Sequence, residues 1–352
     1  MPARTSIASG VIMAKVLVVG GAGYVGGHLS DRLTEAGHDV VVYDLLLYED
    51  AYLKPVQFVY GDILDRERLL PHLRKADVVV WLAALVGDGA CALDDDLTVR
   101  INVDSVRWLA SVFSGRIVFM STCSVYGAQD GWLTETSPLN PLSLYAQTKL
   151  EAERILAEHP DSVTFRLGTL YGLGDRFSRL RVDLVVNTLT VRATLSRRMS
   201  VFGGKQYRPL LHVRDVAEAV LIAMERGATG VFDLTGENVT ILEVAEAVQE
   251  QVPDARIEVT DLPFQDSRNY RVAGTKAREE LGFVSRLTMR DGITEVKALV
   301  EEGRIRDLTA SRFSNFAALR PYLREHQSPL GREVDLAHQL AHHRRRSTTS
   351  PS

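Results

Sequence analysis

The fold of this chain is decided by the stretch Val16-Leu-Val-Val-Gly20-Gly-Ala-Gly23-Tyr-Val-Gly26, an apolar run followed by glycines three residues apart. Consecutive apolar residues are typical of a parallel strand that is covered on both faces, and glycines let the chain turn sharply and approach a ligand closely. Residues 27–36 then place Leu29 and Leu33 on one helix face before Gly37. The stretch therefore predicts a strand, a glycine turn and a helix whose N-terminus would bind a pyrophosphate.

The next strand-like segment ends in an acid. Residues 38–43 are rich in valine and lead to Asp44, roughly 20 residues after the glycines, the interval at which an acidic residue binds ribose hydroxyls in dinucleotide-binding folds. Leu45, Leu46 and Leu47 follow, with no arginine among them to bind a 2′-phosphate. An acid that merely begins a loop is the alternative. The pattern predicts NAD as the cofactor and disfavours NADP.

Composition limits the function classes. The 352 residues are 45% hydrophobic and 24% charged, which is typical of a globular protein of roughly two domains. The formal charge of −4 gives no general electrostatic support for binding nucleic acid or an anionic membrane. Cys91 and Cys123 are too few for a disulfide framework or a metal cluster, and no apolar run is long enough for a membrane helix. We expect a cytoplasmic protein without metal, membrane or nucleic-acid partners.

The order of apolar runs predicts the fold class. After the first two runs, others recur at residues 56–60, 78–85, 116–120 and 163–167, with helix-like stretches between them. Such alternation predicts an α/β fold with a doubly wound parallel (Rossmann) sheet, in which ligands bind beyond the carboxyl ends of the strands. The small or polar residues at those ends are Gly61-Asp62, Ala83-Ala84, Ser121-Thr122 and Gly168-Thr169.

A second, smaller C-terminal substrate-binding region is expected because the pattern loosens after residue 172. Helices are predicted at residues 215–225 and 240–252, the latter capped by Thr240, and a short one at 333–343. The predicted division is a flexible leader (1–14), an NAD-binding domain (15–172 and 209–236), a substrate-binding domain (173–208 and 237–303) and a C-terminal extension (304–352) with a mobile basic tail.

Candidate catalytic residues lie at the start of a helix predicted to run to about residue 159. Tyr145 and Lys149 share one face of it by their spacing of four. A phenol is a weak acid, but a nearby ammonium group and a nicotinamide cation would both favour the phenolate that removes an alcohol proton. Thr122, at the end of a buried strand, offers a hydroxyl partner for the same alcohol.

The ordered motifs resemble those of extended short-chain dehydrogenases/reductases of the sugar-nucleotide epimerase/dehydratase family, from residue 15 to about 300. The resemblance implies an NAD-dependent enzyme, a homodimer, that acts on a nucleoside-diphosphate sugar. It implies Thr122, Tyr145 and Lys149 as catalytic residues. It implies a cofactor site of Gly20, Gly23, Tyr24, Val25, Gly26, Asp44, Asp62, Ile63, Ala83, Ala84, Asn102, Tyr145 and Lys149. It implies substrate contacts from Val86, Ser124, Asn187, Arg208 and Arg268.

Three functions follow, and Cys123 distinguishes two of them. Where dehydratases of this family carry an acid pair after the catalytic threonine, this chain has Cys123 and Ser124, both weak acids. A simple dehydratase is therefore disfavoured. The segment 181–187, with Arg208 and Arg268, resembles a branch of the family that acts at C4, and this resemblance implies oxidation or epimerisation at C4 of the sugar through a 4-keto intermediate. The alternatives are a 4,6- or 5,6-dehydratase that uses Cys123 as an unusual catalytic acid or base, and a non-catalytic NAD-sensing protein.

Overall fold

The computed structural model describes residues 13–177, 179–260, 269–304, 307 and 310–326. The strands are β1 Lys15–Val19, β2 Asp39–Asp44, β3 Gln57–Tyr60, β4 Val78–Trp81, β5 Arg116–Thr122, β6 Trp132–Leu133, β7 Ser162–Leu167, β8 Thr169–Tyr171, β9 Arg198–Phe202, β10 Tyr207–His212, β11 Gly230–Leu234, β12 Asn238–Thr240, β13 Arg256–Thr260 and β14 Arg271–Val272. The helices are α1 Gly26–Glu35, α2 Arg66–Leu73, α3 Asp88–Cys91, α4 Asp95–Val99, α5 Ser105–Val112, α6 Leu144–Ala157, α7 Val185–Ser196, α8 Val213–Arg226, α9 Ile241–Gln251, α10 Thr275–Leu281, α11 Met289–Glu301 and α12 Asn315–His326.

A seven-stranded sheet in the order β11-β7-β5-β4-β1-β2-β3 forms the centre of the fold. All of its pairings are parallel, and Val18 lies between Val42 and Val80 in register. Its valine-rich strands are buried because helices cover both faces, which confirms the predicted Rossmann fold class. The strand order reverses between β1 and β4, and this switch point creates a crevice at the carboxyl ends of the two strands.

The apolar run at 78–85 is only partly a strand. The strand β4 ends at Trp81 because the N–H groups of Leu82 and Ala83 both donate to the carbonyl of Val19, at 2.8 and 2.9 Å. The chain thereby turns across the top of β1 and brings Ala83 to the crevice. The helix predicted at 240–252 is confirmed as α9, and Thr240 caps it through a capping box with Glu243.

A second hydrophobic core lies between α7, α9 and α11. It contains Val186, Val244 and Ile293, all completely buried. The helix α10 does not belong to this core, although the sequence assigned residues 237–303 to the substrate-binding domain. Its Ala277 and Leu281 pack in the core of the central sheet, since the helix lies against β11 and α8.

The C-terminal extension contains a helix, α12, that the sequence did not predict. Its Leu319 is buried in a cluster with Leu85, Cys91 and Tyr145. The extension therefore packs on the predicted catalytic tyrosine. The leader up to residue 12, the short helix predicted at 333–343 and the basic tail all lie outside the described residues. Among the helices that are described, none is both long enough and apolar enough to cross a membrane.

Stability is expected to depend on pH through Asp233, which is completely buried in β11. Burial is the main cause that raises the pKa of Asp233 to about 7. Because the folded state holds this proton more tightly than the unfolded chain, the stabilisation is full below about pH 4 and is lost as the pH rises to 7. The Tm of Asp233→Asn relative to the unaltered chain should therefore rise between pH 5 and 7. A pH-independent difference between the two melting temperatures would contradict this assignment.

Candidate active site

A cavity of about 740 Å³ opens at the carboxyl ends of the central strands. It reaches from the glycine loop and Asp44 to α7 and β10 of the second region. The predicted residues that line it are Gly20, Gly23, Tyr24, Val25, Asp44, Asp62, Ile63, Ala83, Ala84, Val86, Thr122, Ser124, Tyr145, Lys149 and Arg208. The fold therefore gathers most of the predicted cofactor, catalytic and substrate residues around one space.

The glycine loop has no room for larger side chains. Gly20 has a φ of +83°, and a Cβ on it would come within 2.4 Å of the backbone nitrogen of Ala83. A Cβ on Gly26 would come within 2.4 Å of the Cα of Gly21, so this glycine allows α1 to pack closely on the loop. The helix α1 begins without a side-chain cap or an acid in its first turn, so the positive end of its dipole is available to bind a pyrophosphate.

Asp44 links the loop to the cofactor side of the cavity. Its Oδ2 accepts a hydrogen bond from the N–H of Ala22 at 3.0 Å, and its Oδ1 accepts one from Leu46 at 2.7 Å. Burial raises the pKa of the Asp44 carboxyl, and these N–H donors oppose that shift. Asp62 and Ile63 follow β3 along the same wall. The loop, the carboxylate and the small residues Ala83 and Ala84 fit an NAD molecule.

Cofactor preference is expected to depend on this carboxylate. A 2′-phosphate would meet the charge of Asp44, so NAD should bind at least about tenfold more tightly than NADP. Calorimetric titration of both dinucleotides measures the ratio of their affinities, and Asp44→Ser should bring the two affinities closer together. Equal affinities for the two dinucleotides in the unaltered protein would contradict the prediction.

Thr122, Tyr145 and Lys149 meet at the centre of the cavity. The helix α6 begins at Leu144 because the hydroxyl of Ser143 caps it by accepting a hydrogen bond from Ala146, and this puts Tyr145 in the first turn. The phenol of Tyr145 lies beside Thr122, the last residue of β5, close enough for the threonine hydroxyl to act on the pKa of the phenol. Lys149 lies one turn further along α6, and its Nζ donates to the carbonyl of Met120 at 2.8 Å.

The electrostatics differ from the expectation that Lys149 lowers the pKa of Tyr145. Burial is the main effect and raises the pKa of Tyr145 above its ordinary value, while the charge of Arg181 and the neighbouring side chain of Thr122 oppose the shift. Burial also lowers the pKa of Lys149, to about 8. Compared with water, the protein interior thus favours the uncharged form of both side chains.

Known proteins resemble this chain over most of its length. The model of the NAD dependent epimerase/dehydratase family matches residues 16–234. The chain belongs to this family. Its membership confirms the predicted class, an NAD-dependent enzyme of the extended short-chain dehydrogenase/reductase type.

Individual relatives of the family catalyse several reactions. The chain is 30% identical to dTDP-glucose 4,6-dehydratase of Streptomyces niveus, over 80% of this chain and 91% of the relative. It is 26% identical to UDP-glucuronic acid decarboxylase 1 of Arabidopsis thaliana, over 82% and 70% of the two chains. The solved structure of UDP-glucose-4-epimerase from Stenotrophomonas maltophila, with bound NAD and formylated UDP-arabinopyranose, superposes with a TM-score of 0.74 at 25% identity, over 82% of this chain and 99% of that one.

Cys123 lies outside the cavity. The side chain is 1% exposed and packs with Val125, Leu150 and Val272, and its Sγ contacts the carbonyl of Arg166 at 3.3 Å. Burial raises the pKa of this thiol well above its ordinary value. The proposal of Cys123 as a catalytic acid or base is contradicted, because the 3-10 turn after β5 directs Thr122 and Ser124 to the cavity and Cys123 into the core.

Three other predicted residues do not line the cavity but pack against the residues that do. Gly26 packs α1 on the glycine loop, as described above. Asn102 does not line the cavity, because its amide bonds the backbone of Leu85 and the hydroxyl of Thr148. Asn187 is completely buried and bonds the N–H of Gly172 and the hydroxyl of Tyr24. Arg268, the remaining substrate candidate, lies outside the described residues.

Several cavity residues were not predicted. Arg179, Arg181 and Arg192 line the space, as does Asn315 of α12. The sequence did carry a partial signal for the first two, since the loosened region after residue 172 is rich in arginine. No signal marked Asn315, because the helical spacing of Phe316, Leu319 and Leu323 in α12 does not indicate that the first residue of this helix reaches the cavity. In the described part of the chain, no group of three or more His, Cys, Asp or Glu residues is arranged to hold a metal ion.

Proposed function

We propose that the protein oxidises or epimerises a nucleoside-diphosphate sugar at C4 through a 4-keto intermediate, with NAD as the hydride carrier. The observation that carries the proposal is that Tyr145, Thr122 and Lys149 line one cavity together with the glycine loop. Oxidation at C4 is a chemistry that requires one base for the hydroxyl proton and one hydride acceptor beside the same carbon. NAD, when bound, accepts the hydride and can return it.

Each catalytic residue has a distinct task. As a phenolate, which the positive charge of a bound nicotinamide would favour, Tyr145 removes the proton from the C4 hydroxyl and returns it when the ketone is reduced. The hydroxyl of Thr122 bonds the same alcohol and holds it against Tyr145. Lys149, whose Nζ donates to the carbonyl of Met120 near the end of β5, would bind the nicotinamide ribose of the cofactor. Arg208 lines the cavity and would bind the diphosphate of the sugar nucleotide.

Dehydration is disfavoured because it requires an acid or base at C5 of the sugar. The core position of Cys123 removes the candidate that the sequence offered for that task. We expect Cys123→Ala to retain activity within about threefold, since the change affects packing more than chemistry. Turnover in heavy water should leave C5 free of deuterium. Deuterium at C5, or a product lighter by one water, would reverse this choice in favour of a dehydratase.

A substrate panel distinguishes catalysis from binding alone. UDP- and dTDP-sugars incubated with the protein and NAD should give an oxidised or C4-epimerised sugar, detected by mass spectrometry and NMR. A complete absence of new sugars, with NAD still bound, would favour the NAD-sensing alternative. The expected homodimer and the cytoplasmic location stay predictions, which sedimentation and fractionation can test.

A further inference from the structure

Two arginines that line the cavity have no role in the proposed function. Arg179 and Arg181 lie between β8 and α7, and both are largely buried, with exposed fractions of 5% for Arg179 and 11% for the side chain of Arg181. Arg181 is neutralised by Asp183 through two hydrogen bonds of 2.9 and 3.1 Å. One of the two cations is therefore already paired within the protein.

The charge of Arg179 is not compensated in this way. Its guanidinium donates to the carbonyl of Arg312 at 2.8 Å and to the side-chain oxygen of Asn315, both neutral acceptors. Across the described ranges no carboxylate forms an ion pair with it, and its buried Nε has no hydrogen-bond partner. Burial and the charge of Arg181 lower the pKa of Arg179 to about 10. A buried cation without a paired carboxylate is stabilised when an anion enters the cavity beside it.

The surroundings of the pair indicate which anion enters. The guanidinium of Arg179 lies 3.9 Å from the ring centre of Tyr48, four residues after Asp44 on the ribose side of the cavity. Arg181 lies close enough to Tyr24 of the glycine loop to oppose the rise of its pKa. The pair therefore lies beside the two loops that fit the cofactor, whereas Arg208 belongs to β10.

The C-terminal extension holds Arg179 in place. Asn315 accepts from its guanidinium, donates its backbone N–H to Asp183 at 2.9 Å and donates its amide to the carbonyl of Val86 at 2.9 Å. Arg312 forms an ion pair of 2.9 Å with Glu49, which also accepts the backbone N–H of Arg179 at 2.7 Å. Side chains and backbone from four segments thus fix one guanidinium at the cavity wall.

We propose that Arg179 and Arg181, fixed by residues 310–316, form a subsite for the diphosphate of the cofactor. The C-terminal extension then forms part of the NAD site and slows the release of NAD. A diphosphate is also present in the sugar nucleotide, and NADP carries a further phosphate on its ribose, so the experiment must separate these sources.

These sources are separated by calorimetric measurement of the affinities for NAD, NADP, UDP and dTDP in the unaltered protein and its variants. Arg179→Gln should weaken NAD by about tenfold or more, the effect of a lost charge-assisted hydrogen bond, and should leave UDP and dTDP within about twofold. Arg179→Lys, which keeps the charge, should retain most of the NAD affinity. Asn315→Ala keeps Arg179 but removes the side-chain oxygen that accepts from its guanidinium. NAD should therefore dissociate faster when its displacement is followed by stopped flow. Arg192→Gln, at a cavity arginine without a proposed role, is the matched control and should leave the NAD affinity unchanged.

Three results would overturn the proposal. An NAD affinity within about twofold of the unaltered protein in folded Arg179→Gln would show that the pair does not contact the cofactor. A larger loss for UDP or dTDP would assign the pair to the sugar nucleotide, and a larger loss for NADP than for NAD would assign it to the 2′-phosphate. Failure of UDP and dTDP to bind the unaltered protein would count against the proposed function alone, because the NAD measurements do not depend on it.

Discussion

Replacement of Tyr145 by phenylalanine is expected to lower kcat by about 10³-fold, the usual contribution of a positioned general base. The change removes only the phenol oxygen, which is the group proposed to exchange a proton with the C4 hydroxyl and which lies beside Thr122. The ring remains to pack against Leu85, Cys91 and Leu319, so the cavity and NAD binding should persist. Steady-state turnover with a processed sugar nucleotide, alongside NAD titration, measures both quantities.

The matched control is Tyr171→Phe. Tyr171 is also buried, and its hydroxyl donates to the carbonyl of Leu287 at 2.8 Å, but it does not line the cavity. Loss of that hydroxyl should reduce stability by about 1 kcal/mol and leave kcat almost unchanged. Near-normal turnover in Tyr145→Phe, or an equal loss of turnover in both variants, would disprove the role given to Tyr145.

Replacement of Glu153 by alanine is expected to lower the free energy of unfolding by about 3–5 kcal/mol, the cost of an unpaired buried charge. Glu153 on α6 and Arg166 on β7 are 5% and 4% exposed, and the guanidinium donates to both carboxylate oxygens at 2.7–3.1 Å. The same carboxylate accepts the hydroxyl of Ser121, next to Thr122. Chemical denaturation measures the stability loss, and turnover should fall as the end of β5 shifts.

Two further variants separate charge from packing. Glu151→Ala on the exposed side of α6 should change stability by no more than about 0.5 kcal/mol, because its ion pairs with Arg107 and Arg154 are on the surface. The double variant Glu153→Leu with Arg166→Met, compared at pH 5 where Asp233 is protonated, should recover most of the loss, since it removes both charges of the pair. A cost below about 1 kcal/mol for Glu153→Ala would show that the buried pair is not important for folding.

The sequence predicted the sheet and the cofactor side because both depend on local patterns. Runs of valine identify buried parallel strands without knowledge of their partners, and glycine spacing reports a backbone constraint that Gly20 does meet. The motif of Tyr145 and Lys149 is equally local, since both residues lie on one helix. These are features that neighbours along the chain determine.

The sequence was less informative where distant segments meet. Cys123 and Ser124 are adjacent in the turn after β5, yet Cys123 packs in the core and Ser124 lines the cavity. Which of the two side chains faces the cavity is determined only by the packed structure. Asn187 was expected at the substrate but bonds Tyr24, which is 163 positions away in the chain. Asn315 reaches Val86 across 229 positions, so no local pattern could assign it to the site.

The most direct test of C4 chemistry uses a sugar nucleotide that carries deuterium only at C4. Deuterium should slow the hydride step in single-turnover measurements and should then be found on the nicotinamide after net oxidation, or again at C4 after epimerisation. The same substrate with Tyr145→Phe should give neither transfer at a comparable rate. A product formed without any slowing, with all deuterium remaining at C4 throughout and none ever on the nicotinamide, would contradict the central claim.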